Sequence, residues 1–268
     1  MQIWINEREQ EYRGEATVAA VQAAFKADAD VAIRNGHPAT PTDAVAEGDE
    51  LVLIRRGEAP AAEELEALLV ARHTPGVHRV VKAARVGIAG LGGLGSPVAI
   101  ALARIGVGTL VLADFDVVEP SNLNRQQYFV DQLGMTKVDA LSATLRRAHP
   151  YAALEAHAVR LTPDNVPLVF AGCRVLVEAF DRADQKAMLV ETALRWLPDT
   201  WVVSASGLAG YGPAATIGCH RVGERLVVVG DLEAEARPGQ GLMAPRVGVA
   251  AHIQANAVLR ILLGEEPG

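Results

Sequence analysis

Cysteine is nearly absent. The 268 residues hold two, Cys173 and Cys219, far apart and without a C-x-x-C pair. That excludes a disulfide framework and argues against a zinc site, so no zinc is expected. Aromatic residues make up only 4% of the chain, so Val, Leu, Ile and Ala must build any core. A basic excess is also missing: 25 Lys and Arg stand against 32 Asp and Glu, a net charge of −7. A general nucleic-acid binder needs a basic face, so no nucleic acid is expected as a partner. No apolar run is long enough to span a bilayer. The start, Met-Gln-Ile-Trp-Ile-Asn-Glu, lacks a basic stretch followed by an apolar one. The expectation is a cytoplasmic protein with no membrane partner. Internal repeats and low-complexity segments are lacking too.

What is present is organised around the stretch from Arg85 to Asp116. Val86, Ile88 and Ala89 read as a buried strand, and Gly90, Gly92 and Gly95 follow at G-x-G-x-x-G spacing. A helical pattern runs from Ser96 to Ile105, with Ser96 as its N-cap and Pro97 at the first helical position. Thr109 to Ala113 reads as the next strand and delivers Asp114 at its C-terminal end. A Gly-rich turn lets backbone approach phosphate, and a helix N-terminus favours negative charge. An acid at the end of the second strand can take ribose hydroxyls. These features define a nucleotide site without saying which nucleotide.

Residues 1–57 read as a small separate unit. Gln2 to Asn6 is a strand with Gln10 to Arg13 as its hairpin partner, and Thr17 caps a helix carrying Val18, Val21 and Phe25. Val31 to Arg34 and Glu50 to Arg55 are further strands. The order β-β-α-β-β suggests a β-grasp domain, with a generic α+β cap as the alternative. Residues 58–84 form a helical connector, broken at His73-Thr-Pro-Gly76. Residues 85–268 alternate strands and helices. The expected helices there include Pro163 to Ala171, Ala183 to Leu197 and a terminal Val247 to Leu263; Ala214 to Arg221 and Leu226 to Val229 are expected as late antiparallel strands. The fold class is α/β: a Rossmann-like, mainly parallel sheet with helices on both faces, preceded by the small β-grasp (α+β) domain.

Four features beyond the glycines point one way. Asp114-Phe-Asp116 closes the second strand, Ser121-Asn-Leu-Asn-Arg125-Gln126 follows, Lys137 stands at a helix start, and Asp181 ends a later strand. In an open α/β sheet the C-terminal strand ends converge on one crevice, so Asp114 and Asp181 face the same ligand. Arg125 and Lys137 add two cations. That set suits a nucleoside triphosphate, with cations for phosphates and a carboxylate for the accompanying metal. Taken singly, each cation reads as a solvated charge and each strand-end Asp as a helix cap.

Together, Gly90-Leu-Gly-Gly-Leu-Gly95, Asp114-Phe-Asp116, Ser121 to Gln126, Lys137 and Asp181 resemble the ubiquitin-activating, MoeB and ThiF superfamily of adenylyltransferases. Glu178-Ala-Phe-Asp181, Ala205 to Gly212 and Met243-Ala-Pro-Arg246 are similar to a short form of ThiF, over about residues 72 to 264. The first 57 residues resemble the sulfur carrier ThiS in element order, length and a Gly-Asp turn. The resemblance implies transfer of AMP from ATP to the C-terminal carboxylate of a separate ubiquitin-like sulfur carrier, in thiamine thiazole synthesis. It also implies magnesium and a homodimer. By match, Gly90, Gly92, Gly93 and Gly95 lie against the nucleotide, Asp114 binds ribose, and Asp116 and Ser121 belong to the same site. Asn122, Arg125 and Gln126 handle phosphates and the leaving pyrophosphate, Lys137 binds phosphate, and Asp181 binds magnesium.

The sequence departs from the fuller pattern. Paired zinc cysteines are missing, and Arg237-Pro-Gly-Gln-Gly-Leu-Met243 holds no cysteine for thioester or persulfide chemistry. Cys219 lies on an expected strand and reads as a buried small side chain. Adenylation alone is therefore expected. Arg72 is the one candidate for an arginine reaching into a partner subunit. Where a carrier would end in Gly-Gly, this chain has Ala59-Pro60 and continues, so the N-terminal unit has no carboxylate to activate. Two other readings compete. An NAD-dependent oxidoreductase would need a His or Tyr acid/base, and none is evident. A non-catalytic scaffold would have the N-terminal unit occupying the site.

Overall fold

The computed structural model describes residues 1–234 and 241–268. Residues 235–240, most of the cysteine-free stretch before Met243, lie outside the described residues. The chain divides into two compact units, Met1–Gly76 and Val77–Gly268.

The first unit contains β1 (Gln2–Ile5), β2 (Arg8–Glu11), α1 (Val18–Phe25), β3 (Val31–Arg34), β4 (His37–Pro38), β5 (Glu50–Ile54) and α2 (Ala62–His73). Its five strands run in the order β2-β1-β5-β3-β4, with β1 parallel to β5. Alternation decides the faces: Ile3, Ile5, Leu51 and Leu53 point to one side and close a core with Val18 and Val21 of α1. Thr17 caps α1 by accepting the Ala20 N–H at 3.3 Å. The hairpin partner starts at Arg8, two residues before the expected Gln10. The cause is a two-residue turn, Asn6-Glu7, with both φ positive at 48° and 63°. Asn tolerates that region and Glu seldom adopts it, so sequence gave little warning. Asn6 is held there by its side chain, which accepts the Leu53 N–H at 2.9 Å and donates to Glu64 at 2.6 Å.

The second unit contains most of α3 (Pro75–Ala83), then β6 (Arg85–Ala89), α4 (Gly95–Arg104), β7 (Thr109–Ala113), α5 (Lys137–Ala148), β8 (Ala153–His157), α6 (Val166–Val169), β9 (Val175–Glu178), α7 (Ala183–Trp196), β10 (Trp201–Ala205), β11 (Gly218–Val222), β12 (Leu226–Gly230) and α8 (Ala244–Leu262). Pro75 opens α3 directly after the break at Thr74, so the break separates two helices. The seven strands run in the order β11-β12-β10-β9-β6-β7-β8. All pairs are parallel except β11 with β12. β12 was expected to be antiparallel to its neighbours; it pairs parallel to β10, Val202 opposite Leu226, and only β11 reverses.

Parallel strands are covered on both faces. Leu110 and Leu112 of β7 point into one core with Val98 and Leu102 of α4, Leu141 of α5 and Val258 of α8. Val111 and Ala113 point into the other with Val166 of α6 and Leu189 of α7. Each such leucine contributes about 1.5–3 kcal/mol on burial. α6 is shorter than the expected Pro163–Ala171, because Asn165 turns back to accept the Thr162 N–H at 2.8 Å. The apolar stripe of α8 packs into this core through Val247, Ala250, Ala251 and Val258. Among the described residues no helix is long and apolar enough to cross a membrane.

This order fixes where a ligand can sit. From β6 the chain moves outward to β7 and β8, then returns to place β9 on the other side of β6. Helices leaving β6 and β9 therefore diverge, and a crevice opens at the C-terminal ends of these two strands.

Candidate functional site

The Gly loop follows β6 into that crevice. Gly90 has φ +87°, and a Cβ there would stand 2.9 Å from the Ala179 carbonyl oxygen. A Cβ on Gly95 would stand 1.8 Å from the Gly90 carbonyl oxygen. These two glycines are demanded by the fold. Gly92 is different: its Cβ would meet nothing nearer than the Gln126 amide nitrogen at 3.7 Å. The room above it is free for a ligand. Helix α4 begins at Gly95, one residue before the sequence suggested, and Ser96 is not its N-cap. The Ser96 hydroxyl donates back to the Gly92 carbonyl at 2.6 Å and accepts the Gln127 N–H at 3.1 Å.

The segment after β7 is clipped to this loop. The Tyr128 hydroxyl donates to the Leu91 carbonyl at 2.8 Å. The Arg125 methylenes lie over Gly93, whose Cβ would stand 3.3 Å from Arg125 Cγ. The Arg125 guanidinium is turned to Ser121 O and to Asn124 Oδ1, at 3.3 and 2.8 Å. Gln126 is buried beside Gly92, and its Oε1 has no hydrogen-bond partner. Asn122 organises the turn: its Oδ1 accepts the Glu119 N–H at 3.0 Å, and its carbonyl accepts the Gln126 N–H at 2.9 Å. Ser121 is exposed beside it.

Asp114 is buried, and its two oxygens accept the Leu91 N–H at 2.7 Å and the Asp116 N–H at 2.8 Å. Burial raises its pKa above the usual carboxylate range, against the pull of nearby Lys137. Burial also raises the Tyr128 hydroxyl, so it remains a donor. Lys137 opens α5, its N–H bonded to the Asp116 carbonyl and its ammonium 2.7 Å from the Asp116 carboxylate. Lys137 is buried and Asp116 half-exposed, so the cation is held in place by an anion open to solvent.

On the other side of the crevice Asp181 follows β9. It is exposed, and its carboxylate enters no hydrogen bond or ion pair among the described residues. Phe180 touches the Gly90 position, so Asp181 stands next to the Gly loop in the fold. Three residues earlier Glu178 is fully buried. It accepts the Phe180 N–H at 2.7 Å, the Ser204 hydroxyl at 2.6 Å and the Lys186 ammonium at 2.9 Å. Sequence reading did not single out Lys186, Ser204 or Tyr128. The available signal was an acid at the end of the otherwise apolar strand Val175-Leu-Val-Glu178.

The remaining candidates fall elsewhere. Arg72 is paired with Glu7 within the first unit, at 3.2 Å. Burial raises the Cys219 thiol and pushes Cys173 up to about 11, so neither is an activated thiolate. Among the described residues no group of three or more His, Cys, Asp or Glu could hold a metal ion.

Fold and site thus define a Gly-loop nucleotide-binding α/β domain, with cations beside the loop and a free carboxylate opposite. The ThiF family model matches residues 67–268, and the chain belongs to the ThiF family. Residues 1–57 match the ThiS-like ubiquitin model. The chain is 30% identical over 190 residues to the adenylyltransferase and sulfurtransferase UBA4 of Candida glabrata, covering 69% of this chain and 43% of that protein. It is 33% identical to the corresponding protein of Pyricularia oryzae, covering 68% and 39%. The chain therefore spans less than half the length of these relatives. Among solved structures it is similar to E. coli tRNA N6-threonylcarbamoyladenosine dehydratase, TcdA, in complex with ATP, with a TM-score of 0.69 at 21% identity. That likeness covers 77% of this chain and 96% of that one. E. coli MccB with ATP gives a TM-score of 0.57 at 22% identity, covering 71% and 59%.

Proposed function

We propose that this protein is an adenylyltransferase that transfers AMP from ATP to the C-terminal carboxylate of a separate ubiquitin-like sulfur carrier, releasing pyrophosphate. One observation carries the reading: the Arg125 methylenes lie over Gly93 and the Gln126 amide nitrogen lies nearest Gly92, with the Lys137 ammonium held by Asp116, which follows β7. A dinucleotide oxidoreductase has no task for that set beyond the glycines and Asp114. The relatives named as adenylyltransferases support the same reading.

In this reading the carboxylate of Asp114 takes the ribose, and the Gly92–Gly93 backbone lies along the phosphates. The attacking carboxylate and the triphosphate are both negative. Arg125 swings from its resting contacts to the phosphates, and Lys137 exchanges part of its bond to Asp116 for them. Gln126 offers its amide N–H groups. Asn122 acts by shaping the turn that carries Arg125. Positioning and charge stabilisation then supply most of the acceleration. Magnesium fits Asp181: a single exposed oxygen donor suits a cation whose other ligands are phosphates and water. Bound there, a magnesium ion would supply further charge neutralisation at the phosphates.

Within this class the pathway we assign is thiamine thiazole synthesis, supported by the ThiF and ThiS-like matches. The N-terminal unit is not itself a substrate in this proposal. After β5 the chain is held, with the Arg56 N–H on Asp30 at 2.8 Å and Glu58 paired to Lys26, and it then enters α2. A homodimer is also proposed. It uses the outward groove of α8 at Pro245, Val249, His252 and Ile253, since the inward stripe is buried.

ATP–pyrophosphate exchange against a panel of small carriers ending in Gly-Gly tests the function. Exchange should require a carrier, and mass spectrometry should find no AMP on residues 1–60. Absence of exchange with every carrier, together with thermal stabilisation by NAD and not by ATP, would overturn the reading. Sedimentation tests the dimer: a fully active monomer at micromolar concentration removes that part.

A further inference from the structure

The reaction as proposed leaves a buried ionic cluster at the end of β9 without a role. Glu178 has no solvent exposure, and four hydrogen bonds converge on its carboxylate. Lys186 of α7 reaches both oxygens, at 3.1 and 2.9 Å; Ser204 of β10 donates to one, at 2.6 Å; and the Phe180 N–H donates to the other, at 2.7 Å. The Lys186 ammonium also donates to the Ala205 carbonyl at 3.0 Å. Gln254 of α8 donates to the Glu178 and Val203 carbonyls, both at 3.3 Å. Three secondary-structure elements therefore meet on the last residue of β9.

A buried ion pair is poor evidence for a stability device, because an apolar substitute often does as well. Its geometry is more informative. The Glu178 carboxylate holds the backbone N–H two residues on, which bends the chain at Ala179-Phe180 and sets the direction in which Asp181 leaves the strand. The same bend presses Ala179 and Phe180 against Gly90. Glu178 thereby fixes the distance between the wall carrying Asp181 and the loop that would carry the phosphates.

We propose that Glu178, Lys186 and Ser204 form a positioning unit for Asp181, required for the gain in nucleotide affinity that magnesium brings and not for metal-free nucleotide binding. This rests on the adenylation reading. Groups that orient a metal ligand typically matter about 10–100-fold in metal affinity.

The test is equilibrium binding of ATP to the full chain by calorimetry, once with EDTA and once with magnesium. The parent should bind more tightly with magnesium, and Asp181→Ala should lose that gain. In Glu178→Gln the gain should shrink about tenfold while metal-free affinity stays within about twofold. Lys186→Arg, which keeps the cation, should retain it. If Glu178→Gln does not fold, Ser204→Ala removes one of the four bonds and should still reduce the gain severalfold. A full gain in Glu178→Gln, or in Ser204→Ala where that substitutes, overturns the inference. So does a parallel fall in metal-free and metal-assisted affinity. A parent that binds ATP in neither condition overturns the adenylation reading first, and this inference with it.

Discussion

The ends of β7 and β9 use the same device to different ends. Each strand finishes on a buried carboxylate that accepts the N–H two residues further on: Asp114 from Asp116, Glu178 from Phe180. Each then presents a more exposed carboxylate, Asp116 or Asp181. The difference lies in the cation. At β9 the buried acid has its own ammonium, Lys186, and the exposed acid is left free. At β7 the buried acid receives only backbone N–H groups, and the ammonium, Lys137, is held by the exposed acid. So Glu178 is saturated, while Asp114 accepts only two N–H groups and Lys137 is held by an anion open to solvent, which in the proposed reaction phosphates would replace.

The comparison is broken most severely at Lys137 and Asp181. Lys137→Ala and Asp181→Ala should each lower pyrophosphate exchange about 10²-fold or more, as expected for one preorganised charge partner, with little change in melting. Near-parental exchange in either variant removes its assigned role. At the buried level the effect should appear in stability, and unequally. Lys186→Ala leaves Glu178 without its cation and should destabilise by about 3 kcal/mol, lowering Tm by roughly 6–12 °C. Asp114→Ala strands two backbone donors and should cost about 1–3 kcal/mol. Denaturant titration of both variants checks the order; the reverse order would mean that Asp114 is the more saturated acid.

The smallest effect sharpens the contrast by pH. Burial raises the pKa of Asp114 in the folded state, so the native protein holds that proton more tightly than the unfolded chain. Stability from this group is therefore present below the ordinary carboxylate value and is lost as pH rises through the raised one. Asp114→Asn cannot titrate. The parent should lose stability relative to Asp114→Asn as pH rises through that window, and an unchanged difference would contradict the assignment. Burial alone would raise Asp231, but the Ala234 and Glu233 N–H groups and Arg246 together outweigh it and hold its pKa low, so Asp231 runs the opposite way, losing its contribution as pH falls.

Much of the site was legible because its signals are local. The glycine spacing, Asp114 after an apolar strand and Lys137 at a helix start each lie within one short window. A crevice at the strand ends was expected from the open α/β class, but the return from β8 to β9, which places it between β6 and β9, is a matter of strand order that alternation alone leaves open. Glu178, Lys186 and Ser204 were not legible, because Ser204 lies 26 residues from Glu178 and only tertiary packing joins them. Ser96 was misread for a related reason: a Ser before Pro looks like a cap, but Gln127, 31 residues on, claims its hydroxyl. The pairing direction of β12 depends on which neighbour it meets, and its own composition does not specify that.

The clip between the Gly loop and residues 125–128 has a consequence for proteolysis. The Arg125–Gln126 bond offers trypsin a favoured, half-exposed side chain in a segment with no strand or α-helix, and such segments are ordinarily cut first. Here Gln126 is buried, the Gln127 N–H is bonded to Ser96 and the Tyr128 hydroxyl to Leu91. A protease must wait for these contacts to open together. The nicking rate at that bond therefore reports how often the whole edge clipped to the Gly loop comes apart.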